Sequence, residues 1–469
     1  MLFHSAQFGL FLLAVLALSS LLSGNRRARH LMLLAASALF YAAWNMRYLG
    51  LILFSTLVDY VIGGAIHRST DQRRRRVLLG ASITVNLGVL GLFKYYGFFV
   101  ENLAALLDTV GLHTSLPMLH LLLPVGISFY TFQSMSYTID IYRGRLEPRR
   151  SFIEFALFVS FFPQLVAGPI VRASQFLPQL DRWPGPDERR TSSGLYLVLK
   201  GLAKKVVIAD LLGRLLVDPV FAAPAGHGFI WGLLAIYAFK FQIYNDFSGY
   251  SDIAVGCGRL LGYELPINFR SPYKAQSIRE YWQRWHITLG SWFRDYLFYP
   301  LGGTRLGEAR TQVNLLLVMG LVGLWHGAQW TFILWGLYYG VLMCLARIRR
   351  RLFGPGPASP SAMGVVARVL LVFNLTAGAA LLFRAPDLQA VRDLVAAPLT
   401  MAGPRWGVDV LPLLLLAVLL HFAPERWKEG AERIFVAMPP LLQGAVAALV
   451  IGLLASVSGA AAPYYYFQF

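Results

Sequence analysis

Charge is what this sequence has least of. Only 14% of its 469 residues are charged, against 57% hydrophobic, and the mean hydropathy is +0.55. A soluble globular chain carries about 25% charged residues, so there is too little polar surface here to face water on all sides. Acidic residues are the scarcer sign, 24 against 42 basic. The two cysteines, Cys257 and Cys344, are too few for a disulfide framework and fit no metal-ligand spacing. The sequence also lacks a G-x-S-x-G elbow, a Walker A loop and an H-E-x-x-H metal motif, so none of these signatures assigns a reaction. It carries no internal repeat, no heptad pattern and no low-complexity region. The glycines of GYSDIAVGCGRLLG (Gly249–Gly262) follow no strand and read as close helix packing in lipid, not as a dinucleotide loop.

The basic surplus, a net charge of +18, is not gathered on a polar domain, which excludes nucleic acid as the partner. It falls in short runs between apolar stretches: Arg26, Arg27 and Arg29; Arg73 to Arg76; Arg143, Arg145, Arg149 and Arg150; Arg347, Arg349, Arg350 and Arg351. That is the pattern of short cytoplasmic loops in a multi-pass membrane protein, which also meet anionic lipid. Aromatic residues, 14% of the chain, suit helix ends anchored at the membrane interface.

Apolar stretches recur at Ala6–Leu22, Leu31–Trp44, Leu49–Ile66, Val77–Phe93, Leu121–Ile141, Phe152–Val166 and Gly228–Phe247. They continue at Val313–Leu324, Trp330–Leu345, Val365–Phe383, Leu411–Phe422 and Leu441–Val457. Roughly ten to twelve crossings of a hydrocarbon core about 30 Å thick are expected. The first stretch has no basic residue before it and a basic cluster after it, so it reads as a retained helix with its amino end outside, not as a cleaved signal. The Arg26–Arg29 and Arg73–Arg76 loops then share the cytoplasmic side. From Phe247 to Gly303 the chain is too polar for one spanning helix, yet dense in aromatics (Tyr281, Trp282, Trp285, Trp292, Phe293, Tyr296, Phe298 and Tyr299). Such a segment is either an extramembrane loop or folds back into the protein body to build a site, and the aromatics favour the second. Gly354–Ser361 reads as a flexible linker before the last helices, and Asp181–Arg190 as an exposed loop.

Two histidines lie in apolar, aromatic surroundings: His286 in QRWHITLGSWF and His326 in GLVGLWHGAQW, next to Trp285 and Trp325. His326 follows an apolar run and is expected at membrane depth, where ionisable groups are costly and are functional candidates by default. The bland alternative is a neutral histidine satisfied by backbone carbonyls. Asn245 and Asp246, at the end of an apolar stretch, either position a substrate hydroxyl or cap the next turn. Lys204, Lys205 and Arg284 either meet a phosphorylated donor or anchor helices at the interface. On these residues alone an enzyme, a multi-pass transporter and a non-catalytic scaffold of a secretion complex all stay open.

Longer segments carry a family likeness. FKYYGFF (Phe93–Phe99), LPVGISFYTFQSMSYTIDIYRG (Leu123–Gly144) and FFPQLVAGPIVR (Phe161–Arg172) open the series. YNDFSGYSDIAVGCGRLLGYELPINFRSPY (Tyr244–Tyr273), REYWQRWHITLGSWFRDYLFYPLGG (Arg279–Gly303) and GLWHGAQWTFILWG (Gly323–Gly336) continue it. LFRAPD (Leu382–Asp387) and YYYFQF (Tyr464–Phe469) close it. In these segments, in order and over nearly the whole chain, the sequence resembles the membrane-bound O-acyltransferase family, in the branch of bacterial alginate O-acetylation proteins. The resemblance implies a single all-α, multi-pass domain over residues 1–469, with its motif core at about 90–345. It also implies re-entrant segments around a central tunnel, and C-terminal helices from about 364. It maps the family's central histidine onto His326 and its second polar position onto His286.

The activity implied is O-acyl transfer, with acetyl-CoA or another cytoplasmic thioester as donor and no resident cofactor or metal. The acceptors implied are hydroxyls of an extracytoplasmic polysaccharide or glycan, reached with the help of a periplasmic esterase-like partner from the bacterial inner membrane. Such chemistry needs a base for the hydroxyl proton and a stabiliser for the oxyanion. His326 is expected as the base and His286 as the group that orients the donor or polarises its carbonyl. Asn245, Asp246, Trp285 and Trp325 are the expected substrate contacts.

Overall fold

A computed structural model describes residues 1–113, 116–119, 121–181, 185, 187–354, 361–400, 407–457 and 464. Most of the Gly354–Ser361 linker and of the closing YYYFQF segment, and part of the Asp181–Arg190 loop, lie outside the described residues. Regular structure among the described residues is all helical. The chain divides into two compact units, one of residues 1–187 with 257–265, the other of residues 188–256 with 266–469.

The first unit contains α1 (Ala6–Leu21), α2 (Arg26–Asn45), α3 (Leu49–Arg68), α4 (Gln72–Leu90), α5 (Tyr96–Thr109), α6 (Ile127–Tyr142), α7 (Phe152–Ser160), α8 (Phe162–Leu165) and α9 (Ala173–Asp181). Side-chain oxygens cap the starts of several: Ser5 accepts from Phe8 N–H, Asn25 from Ala28 N–H and Asp71 from Arg73 and Arg74 N–H. Polarity in this unit is turned inward. On α6 the side chains of Ser128, Thr131, Gln133, Ser134, Ser136, Thr138 and Asp140 are all buried, while Leu10, Leu13 and Leu21 of α1 lie exposed. An apolar outside around a polar inside is what lipid selects. At the α3–α4–α6 contact, the buried Asp59 carboxylate accepts hydrogen bonds from Ser82 Oγ (2.6 Å), Asn86 Nδ2 (2.9 Å) and Ser134 Oγ.

The basic turns of this unit gather at one end. Arg26 and Arg149 share the carboxylates of Glu154 and Asp181 at 2.5–2.9 Å, and Arg75 donates to Tyr142 O at 2.8 Å. Arg29 is buried, donates to Ser19 Oγ and Leu261 O, and lies over the Tyr263 ring.

The second unit begins with α10 (Glu188–Ala203), α11 (Asp210–Leu212), α12 (Asp218–Ala222) and α13 (Phe229–Leu260), whose last residues belong to the first unit. Two seven-residue helices follow, α14 (Ile278–Arg284) and α15 (Ile287–Phe293), too short to cross a bilayer. Then come α16 (Glu308–His326), α17 (Trp330–Phe353), α18 (Ala362–Arg384), α19 (Leu388–Ala396), α20 (Leu411–Phe422), α21 (Glu425–Ala437) and α22 (Pro440–Val457).

Among the described residues, five helical runs are long and apolar enough to cross a membrane: Arg26–Arg68, Gln72–Thr109, Trp330–Phe353, Ala362–Arg384 and Pro440–Val457. Ala6–Leu21 and Leu411–Phe422 are shorter apolar helices. Some apolar stretches of the sequence thus become short buried helices such as α7 and α8, or helices with a buried polar face such as α6, packed on protein instead of lipid.

α13 departs from the sequence expectation, which ended a helix at Phe247; it continues for another three turns, to Leu260. Its carboxylates are neutralised from α10 and the π-helical turn that follows it. Lys205 pairs with Asp246 at 2.7 Å, and Lys204 with Asp252 at 2.7 Å. Close approach permits this pairing. A Cβ on Gly201 would stand 2.5 Å from Gly249 O, and one on Gly249 2.8 Å from Gly201 O. Gly194 and Gly256, seven residues along each helix, repeat the contact.

Candidate active site

His326 is the last residue of α16 and 5% exposed. Gly327 leaves the helix in extended backbone (φ −167°, ψ 150°), and the chain turns directly into α17 at Trp330. The two helices form an antiparallel hairpin whose spacing is set by backbone. A Cβ on Gly323 would fall 2.2 Å from Phe332 O, and one on Gly336 2.1 Å from Met319 O. This brings Trp335 edge-on to the His326 ring at 4.9 Å, with Phe383 of α18 at 5.3 Å and Trp325 at 4.9 Å.

His326 opens onto a cavity inside the second unit. Its wall is mostly aromatic, including Phe247, Tyr273, Tyr281, Trp285, Tyr339 and Phe383. Tyr281 and Tyr339 stack with ring planes 7° apart. The turn that brings Tyr273 here is clamped by the α20–α21 corner. Tyr273 N donates to His421 Nε2 (3.1 Å), and Ser271 Oγ to Glu425 (3.0 Å). Lys274 and Lys428 both pair with Glu425. Burial raises the Glu425 carboxyl, but hydrogen bonds and charge from Lys274 and Lys428 outweigh it and bring it down to about 2.

His286 stands one layer behind the wall. It is fully buried and occupies left-handed backbone (φ 43°, ψ 54°) at the start of α15, a conformation uncommon for a residue with a Cβ. Its Nδ1 lies 3.1 Å from Asn268 Oδ1, which also accepts from Thr288 N (3.2 Å) and Thr288 Oγ1 (3.0 Å). The Thr288 backbone N–H fixes that atom as an acceptor, so His286 carries its proton on Nδ1. Its ring meets Phe247, a cavity residue, at 4.7 Å and 89°, and Trp325 at 6.1 Å. Trp325 thus touches both imidazoles.

Of the sequence candidates, His326 and Trp285 line the cavity, while His286 and Trp325 back it. Asn245 and Asp246 are neither at a helix end nor on the cavity wall. Asn245 donates along its own helix to Phe241 O, and Asp246 is held by Lys205. Lys205 also pairs with Asp210, and Arg284 with Glu280, so these cations serve pairs within the protein. Sequence reading passed over Lys240, a buried wall residue of the cavity. The signal was present: a lone lysine inside the apolar run Gly228–Phe247.

The family model described as membrane-bound O-acyltransferase matches residues 145–376. The chain is 40% identical over 401 residues to the probable alginate O-acetylase AlgI of Azotobacter vinelandii, covering 85% of this chain and 78% of that protein. The chain belongs to the membrane-bound O-acyltransferase family. Two further relatives of this O-acyltransferase extend the comparison. The probable alginate O-acetylase AlgI of Pseudomonas aeruginosa is 39% identical over 434 residues, 89% of this chain and 81% of that protein. The peptidoglycan O-acetyltransferase of Helicobacter pylori is 36% identical over 399 residues, 80% and 74% of the two chains. The chain is therefore an acyltransferase of the membrane, and its apolar helices give it several crossings.

Proposed function

We propose that this O-acyltransferase works in the bacterial inner membrane. It takes an acetyl group from a cytoplasmic thioester, with acetyl-CoA as donor, and passes it towards hydroxyls of an extracytoplasmic polysaccharide such as alginate. A periplasmic esterase-like partner completes delivery. The acceptor class rests on likeness to relatives named for alginate and peptidoglycan O-acetylation. The observation that carries the catalytic reading is His326, an imidazole at a helix end on the wall of a mostly aromatic cavity.

In this reading His326 takes the proton of the attacking hydroxyl as the oxygen bonds to the thioester carbon. The tetrahedral intermediate then expels the thiolate, which collects that proton from the imidazolium, leaving ester and thiol. Trp285, on the wall, contacts substrate. His286, held through Nδ1 by Asn268, keeps Trp325 and Phe247 in place behind the site. The aromatic wall keeps water from the thioester, which hydrolysis would waste.

The test is transfer of label from radiolabelled acetyl-CoA by the purified full chain in nanodiscs, with His326→Ala beside the wild type. A positioned base contributes about 10²–10⁴-fold, so the variant should lose nearly all transfer while keeping its melting temperature. Full turnover by a folded His326→Ala would remove this histidine from the mechanism.

A further inference from the structure

The acyl-transfer reading leaves one requirement without an agent: a donor to the oxyanion that forms when the thioester carbonyl opens. His286 does not reach the cavity wall, and Asn268 holds its Nδ1. We propose that Lys240, the cation of the cavity wall, is that donor, a catalytic residue whose ammonium hydrogen-bonds the thioester carbonyl oxygen as it becomes an oxyanion. The proposal rests on the acyl-transfer reading of the same cavity.

Lys240 lies on α13, 2% exposed, and lines the cavity together with His326. Its position is over-determined. Nζ donates to Thr376 Oγ1 at 2.8 Å and to Phe373 O. It stands 3.3 Å from the centre of the Phe373 ring and 4.6 Å from that of Tyr273. Tyr273 Oη in turn donates to the backbone carbonyl of Lys240 itself. Thr376 passes its own hydroxyl proton to Phe373 O (2.9 Å), which leaves a lone pair for the ammonium.

Two oxygens and two ring faces lower the cost of a positive charge at this buried position. Neither oxygen is a carboxylate, and no salt bridge to Lys240 occurs among the described residues. An ammonium has three N–H donors. Two go to Thr376 Oγ1 and Phe373 O, and the third meets no oxygen or nitrogen acceptor among the described residues. A protonated Lys240 with no carboxylate beside it, in a mostly aromatic pocket, stabilises developing negative charge better than an exposed ammonium would.

The balance of the step is simple. The acceptor hydroxyl oxygen bonds to the acyl carbon, its proton goes to His326, and the C=O π pair moves onto the oxygen facing Lys240. The pair returns as the C–S bond breaks, and the thiolate leaves with the proton from His326. Lys240 keeps all three protons throughout.

The experiment compares wild type, His326→Ala, Lys240→Met and Lys240→Arg in nanodiscs with radiolabelled acetyl-CoA, reading kcat and KM per folded molecule. Loss of one oxyanion donor costs about 10²–10³ in kcat. Lys240→Met should fall by that factor with KM within about threefold of wild type, and Lys240→Arg should recover part of the loss because it keeps the charge. A purely packing role would instead lower the folded fraction and leave kcat per folded molecule unchanged. That result, or Lys240→Met within threefold of the wild-type kcat while His326→Ala is inactive, overturns the assignment and leaves the acyl-transfer reading standing. If wild type and His326→Ala transfer equally little, the acyl-transfer reading fails and the role of Lys240 falls with it. Should Lys240→Met not fold, Lys240→Gln is judged by the same criteria.

Discussion

The α16–α17 hairpin makes the position of His326 depend on a residue with no side chain. A methyl at position 336 would stand 2.1 Å from Met319 O, more than an ångström short of the 3.4 Å at which ordinary contact begins. The obstacle is helix backbone, so it cannot rotate away, and Gly336→Ala must part the two helices. Parting them moves Trp335, the preceding residue, off the His326 ring that it now meets at 4.9 Å. Overpacking of this kind costs about 1–3 kcal/mol, and displacing a catalytic group by about 1 Å costs up to about 10²-fold in rate. Gly336→Ala should therefore melt lower than the wild type and transfer label from acetyl-CoA up to about a hundredfold more slowly per folded molecule. Gly320→Ala, one turn before Gly323 on α16, is the control: its methyl meets only the flexible Leu337 side chain, at 3.4 Å, and it should behave as wild type. If Gly336→Ala matched the wild type in both melting and rate, backbone contact would not be what positions His326.

Two further predictions concern the supports of the cavity. Asn268→Ala leaves His286 Nδ1–H, Thr288 N–H and the Thr288 hydroxyl without their shared acceptor. At about 1–3 kcal/mol for each buried donor, a loss of about 3 kcal/mol or more is expected in denaturant or thermal unfolding. An unchanged melt for Asn268→Ala would show that the acceptor is dispensable. Glu425 is held at about 2 from its ordinary 4.5 in the folded protein, so its stabilising effect is complete above pH 4.5 and is lost as pH falls towards 2. The side chain is 56% exposed and solvent-screened, so the gain is about 0.5–1 kcal/mol. Wild type should melt above Glu425→Gln at neutral pH, and the gap should close below pH 4.5; a gap constant across that range would refute the linkage.

His326 stood out as a candidate because an ionisable residue at the end of an apolar run is anomalous in one dimension; hydropathy pointed to the membrane, and the all-helical class came with the family resemblance. What a linear reading could not supply were pairings between distant segments. α13 looked broken at Phe247 because Asp246 and Asp252 are too costly for lipid as isolated residues, and the lysines that cancel them lie some forty positions earlier. Asn245 looked like a cap only because the helix seemed to end there. The same error hid Lys240: in a run judged by its average hydropathy, one lysine is diluted by its apolar neighbours.

Lys205 and Lys240 are the two buried lysines among the described residues, and they differ in what surrounds them. Lys205 lies between the carboxylates of Asp246 and Asp210, so its field is cancelled locally and its work is to hold α13 against the segment after α10. Lys240 is held by neutral oxygens and ring faces, which lower the cost of burying the charge without cancelling it. Burying a cation without a counter-ion is among the more expensive arrangements a membrane protein can keep. A packing role could be filled by methionine at no such cost. The arrangement makes physical sense where the cancelling charge arrives during the reaction, as it does when a thioester carbonyl becomes an oxyanion beside His326.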